Sequence, residues 1–76
     1  MPKVPEVFFI DNDIIPTDTG ITIKWTLLVK HNRNHMIEAE DFIKDEAIYQ
    51  GSRYSVDSYR RVRAASIMLV EAMEAA

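Results

Sequence analysis

Residues 20–30, "GITIKWTLLVK", carry the most regular pattern in this 76-residue chain. Ile21, Ile23, Trp25, Leu27 and Val29 fall on one side, and Thr22, Lys24, Thr26, Leu28 and Lys30 on the other. That period of two, rich in β-branched and aromatic residues, predicts a strand with one buried face. The residues before it, Pro16 to Gly20, have turn chemistry. Asp18-Thr19-Gly20 also matches the tripeptide of aspartic proteases, whose two such loops bring a pair of carboxylates together. Here Pro16 and Thr17 stand where those loops are hydrophobic, and half of the chain has helical composition, so the tripeptide is assigned to a turn.

Outward from this strand, "VFFI" (Val7 to Ile10) reads as a short strand buried on both faces, ended by Asp11-Asn12-Asp13. "HNRN" (His31 to Asn34) reads as a turn, with His35 to Ile37 returning as a short third strand. Glu38 to about Gln50 has helical composition, with Ala39, Phe42, Ile43 and Ala47 on one side and Gly51 as its stop. A second helix is expected from Val56 nearly to the end, capped by Ser55 with Asp57 in its first turn. Its buried stripe is expected at Tyr59, Val62, Ser66, Leu69, Val70 and Met73, with Ala65 at the edge and Ile67 and Met68 outside it. The fold class is α+β: a single domain, residues 1–76, with a small antiparallel sheet of two or three strands and two helices packed on one face.

Composition narrows the function classes. There is no cysteine, so thiolate nucleophiles, thiolate metal sites and disulfides are excluded. Gly20 and Gly51 are the two glycines, too few and too distant for a phosphate-binding loop. Counting from Asp11, the sixth and twelfth positions of a calcium loop would be Pro16 and Thr22, which cannot serve. His31 and His35 offer half of a zinc site at most and read as exposed turn residues. No nucleophile–base pair can be assembled, so the sequence predicts no enzyme, no cofactor and no small-molecule substrate. No apolar run is long enough to cross a membrane, and the first residues lack a secretory pattern, so a cytoplasmic protein is expected.

The net charge of −3 conceals alternating bands. Residues 1–20, 37–50 and 65–76 are acidic, and residues 21–36 and 51–64 basic. Such banding fixes the register of a charged partner. Arg60, Arg61 and Arg63 stand early in the last helix and Glu71 and Glu74 late, against the helix dipole at a cost of ~0.3–1 kcal/mol each. Arginines held against that preference point to a phosphate or an acidic partner that they contact.

The strand, the two expected helices and "GSRYSVDSYRRV" (51–62) together resemble a ribbon-helix-helix DNA-binding protein over residues 20–76. That resemblance implies a dimer in which Thr22, Lys24 and Thr26 read bases. It also implies that the backbone near Ser55 clamps a phosphate, with Arg60 or Arg61 in support. The acidic balance and the additional run at 7–10 depart from that family. The leading expectation is therefore a small non-catalytic interaction or regulatory protein, a homodimer that binds a protein partner. Glu38, Asp41 and Asp45 would face a basic surface, Arg60, Arg61 and Arg63 an acidic one, and Ile67 and Met68 the dimer or partner contact. Many small phage and mobile-element proteins that inhibit or redirect host machinery share this profile, and an origin of that kind is the expectation.

Overall fold

The computed structural model describes residues 3–45 and 52–76, with Ser52 and Arg53 described by backbone alone. Three strands form an antiparallel meander: β1 (Glu6–Thr17), β2 (Gly20–Lys30) and β3 (Asn34–Ile43). One helix, α1 (Ser52–Ala75), follows and packs against β2 and β3. The α+β class with a small sheet is thus present, but with one helix among the described residues rather than two.

The central strand obeys its alternation. Ile21, Ile23, Trp25, Leu27 and Val29 are all buried on the helix-bearing face, and Thr22, Lys24, Thr26 and Leu28 are half-buried on the opposite, open face. Thr17 and Gly20 close the β1–β2 hairpin around Asp18-Thr19, confirming the turn. The Thr17 hydroxyl donates to the Gly20 carbonyl (3.0 Å) and accepts from the Thr19 N–H (3.3 Å). Glycine is needed at position 20 for space: a Cβ there would stand 2.2 Å from the Ile43 carbonyl oxygen of β3.

The expected helix from Glu38 is corrected: Glu38–Ile43 completes β3, opposite Thr26 to Ile21. Ile37, Ala39, Asp41 and Ile43 share the helix-bearing face, and Glu38, Glu40 and Phe42 the open one, so period two was present under a helical composition. A pairing partner as regular as β2 outweighs the helix propensity of Glu38, Ala39 and Glu40. The rest of that expected helix, residues 46–50, and its Gly51 stop lie outside the described residues.

β1 is also longer and more open than "VFFI" suggests. Asp11-Asn12-Asp13 do not end it; Ile10 is the extra residue of a β-bulge, and pairing resumes with Asp11 opposite Thr26. Nor is the run buried: Phe8, Phe9, Ile10, Ile14 and Ile15 are 43–53% exposed. α1 lies over the other two strands, so neither face of β1 is sealed.

Ser55 is not a cap, because α1 begins at Ser52 and Asp57 falls beyond the first turn. The buried row is Ser58, Val62, Ser66 and Val70, spaced by four, while the expected Leu69 and Met73 are about half exposed. Such i+4 rows run oblique to the helix axis and suit a helix crossing a twisted sheet. The two serines let α1 approach closely. The Trp25 indole N–H donates to Ser58 Oγ (3.0 Å) in the core, whereas Ser66 Oγ is buried with no hydrogen-bond partner among the described residues.

Two substitutions test this packing with opposite signs. Gly20→Ala forces β3 backbone to move and is expected to lower stability by ~1–3 kcal/mol in chemical denaturation. Ser66→Ala removes an unpaired buried hydroxyl and adds helix propensity, and is expected to raise stability by about 1 kcal/mol.

Candidate interaction surface

Cross-strand partners share a face, so the register fixes what the open face presents. Phe8, Leu28 and Met36 form an apolar row at one end, and Ile15, Thr22 and Phe42 a second toward the other. Between them lie Asp11–Thr26–Glu38 and Asp13–Lys24–Glu40, with Glu6 opposite Lys30 at the margin. Five carboxylates thus share this face with two lysines. Lys24 pairs with Glu38 at 3.5 Å, and Lys30 lies 5.6 Å over the Phe8 ring. Met36 and Phe42 are 61% and 50% exposed, so the apolar rows reach solvent.

The other side of β1 borders an open groove of about 330 Å³ beside α1. Its lining is Phe9, Trp25, Ser55, Val56 and Tyr59. Phe9 meets Trp25 edge-on at 5.9 Å between centroids, and the Tyr59 ring lies tilted against the indole at 5.5 Å. The groove and the exposed β1 residues are contiguous through Phe9.

The expected site residues divide. Thr22, Lys24, Thr26 and Glu38 do come together on the open face, but with Asp11, Asp13 and Glu40 around them. A phosphate backbone brought to that face would meet more acid than base. Asp41 and Arg61, expected to face separate partners, bind each other: Arg61 Nη2 donates to Asp41 Oδ2 at 2.9 Å. The Tyr54 hydroxyl donates to the same oxygen at 3.0 Å, and the guanidinium lies 5.2 Å over the Tyr54 ring. Burial disfavours the Asp41 charge, but hydrogen bonds from Ser58, Arg61 and Tyr54 outweigh it and hold the carboxyl below its ordinary value. Burial and the adjacent Asp41 push the Tyr54 hydroxyl up. Arg60 and Arg63 are exposed on α1, as are Ser55 and Asp45 in their own positions. Met68 is 71% exposed, whereas Ile67 is half-buried.

His31 and His35 are not free turn residues. With Asn32 and Arg33 they wrap the carboxylate of Glu74 from the last turn of α1. His31 Nδ1 bonds Glu74 Oε1, and His35 Nε2 donates to Oε2 at 3.0 Å. The Asn32 and Arg33 backbone N–H groups each add a bond of 3.1 Å. The other His31 nitrogen faces the Lys3 carbonyl at 3.0 Å, so both ring nitrogens have acceptors. Burial opposes the Glu74 charge, yet the bonds from His31, His35 and Arg33 hold its carboxyl at about 2. The Glu74 hydrogen bond raises His31 above its ordinary 6.5. Among the described residues no group of three or more potential ligands is arranged to hold a metal ion. No described helix is long and apolar enough to cross a membrane.

The residues that the sequence reading missed are Met36, Glu40 and Phe42 of β3 and, above all, those of β1. The signal in β1 is the doublet pair, Phe8-Phe9 and Ile14-Ile15, which puts apolar side chains on both faces of one strand. No family model matches the chain, and no curated protein or solved structure is significantly similar to it.

The Glu74 clamp sets a pH profile. Because the Glu74 value is lowered from 4.5, its contribution is full above 4.5 and is lost as pH falls toward about 2. Because the His31 value is raised from 6.5, its contribution is full below 6.5 and is lost as pH rises through the folded-state value. The urea midpoint is therefore expected to be highest between pH 4.5 and 6.5. Glu74→Gln should remove the decline on the alkaline side; an unchanged alkaline slope in that variant would dismiss the clamp as its source.

Proposed function

We propose that this chain is a non-catalytic interaction protein of regulatory type that acts by binding a protein partner through its open sheet face. The observation that carries this reading is the composition of that face. Phe8, Ile15, Met36 and Phe42 stay exposed around a cluster of carboxylates instead of being covered by the fold. Apolar side chains set among predominantly negative charges give a partner both area to bury and a sign to match. The complementary surface is basic with apolar gaps, as on proteins that handle nucleic acid. Inhibition of host machinery by a phage or mobile-element protein, in a cytoplasmic setting, is the narrower form of this proposal. Homodimerisation would use the same uncovered apolar surface.

The ribbon-helix-helix reading is the weaker alternative. It requires Thr22, Lys24 and Thr26 to approach phosphate, and they stand among Asp11, Asp13, Glu38 and Glu40.

Affinity purification from a bacterial lysate, with the wild-type chain beside Glu38→Lys/Glu40→Lys, tests the proposal. A stoichiometric partner is expected with the wild type, and its recovery should fall several-fold with the reversed face. Equal recovery with both would remove the open face as the contact. Steeply salt-dependent binding to duplex DNA with no protein captured would favour the alternative.

A further inference from the structure

Among the described residues β1 has β2 on one side and no strand on the other. Its outer edge is long, extending over Glu6–Thr17, and a strand of that kind is a ready template for another chain. The two faces of β1 differ in chemistry. On the open face, Asp11 and Asp13 sit between Phe8 and Ile15; on the helix-bearing face, Phe9 and Ile14 flank Asn12. An added strand alternates its side chains between those faces.

We propose that the outer edge of β1 receives an extended protein segment as a fourth strand, one whose side chains alternate basic and apolar. Its basic side chains lie on the open face against Asp11 and Asp13, with their aliphatic stems along Phe8 and Ile15. Lys30 over the Phe8 ring shows this face already accommodating an ammonium group beside an aromatic. Its apolar side chains lie on the other face, against Phe9 and Ile14 and toward the groove beside Trp25 and Tyr59. Backbone pairing supplies affinity and the alternation supplies selectivity.

Charge selects this occupant over a second copy. Two β1 strands paired antiparallel, with Phe9 beside Ile14 of the other, bring Asp11 and Asp13 of both copies together on one face. Like charges in that arrangement are destabilising. The bulge at Ile10 and the missing N–H of Pro16 are further devices that discourage indiscriminate edge pairing.

This inference rests on the protein-binding reading above and names the segment that it binds. The test uses the whole chain and a synthetic peptide as long as β1 that alternates lysine and valine. A peptide with glutamate for lysine, a copy of the first N-methylated on its edge-facing backbone, and duplex DNA complete the set. The lysine peptide is expected to bind saturably and to protect β1 amides from hydrogen exchange, and the N-methylated copy to fail. Asp11→Lys/Asp13→Lys should weaken the lysine peptide roughly tenfold and reverse the preference toward glutamate. The N-methyl comparison needs no variant, so it stands even where charge reversal disturbs folding. Absence of lysine-peptide binding, protection confined to β3 or α1, equal binding of both peptides, or preferential binding of the DNA would overturn the proposal. So would a dimer of the free protein with β1 already protected. If lysate capture still depends on Glu38 and Glu40 while the peptide fails, the edge proposal falls and the open-face reading survives.

Discussion

An α-helix about 10 Å wide covers roughly two strands of a sheet whose neighbours lie about 4.8 Å apart. The described residues set one helix on three strands, and the arrangement of their surface follows from that mismatch. α1 lies along β2 and β3, sealing Ile23, Trp25, Leu27, Ile37 and Ile43. The third strand is left beside the helix. The groove at Trp25, the exposed Phe9 and Ile14, and the open edge of β1 are one consequence seen from three directions.

A single covering helix must also be held in place, and polar contacts do this at intervals along its length. Asp41 of β3 binds Tyr54 and Arg61 near the start of α1, Trp25 binds Ser58 within the core, and the β2–β3 turn encloses Glu74 near the end. The last of these explains an acid in a helix's final turn. A carboxylate there opposes the dipole, but backbone and histidine N–H groups converge on it, and such charge-assisted bonds are stronger than neutral ones.

The parts of this fold that were legible in the sequence are those where one physical demand acted alone. β2 is buried on one face along its whole length, so its alternation survives intact from Ile21 to Val29. β3 was obscured because its outward positions, Glu38 and Glu40, and the small Ala39 are also good helix formers. β1 was obscured differently: lacking cover on either side, it has no polar face to alternate with an apolar one. In α1 the close approach to the sheet favours small serines over the larger Leu69 and Met73, which hydrophobicity would place inside. Arg61 and Glu74 were read as charges set against the dipole; Arg61 lies in the third turn of α1, beyond the dipole's reach, and both find partners in the same chain, from β3 and from the β2–β3 turn.

β1 is joined to the rest by hydrogen bonds on one side and by the packing of Val7 and Phe9 against the core, with no described helix above most of its length. Releasing it would leave β2, β3 and α1 with their mutual contacts. β1 is therefore the strand that owes its place to pairing with one neighbour more than to cover by the helix. Whatever occupies that edge gives it a second neighbour, so occupancy converts an outer strand into an interior one. The strand most available to another molecule is thus also the one whose own order gains most from being engaged.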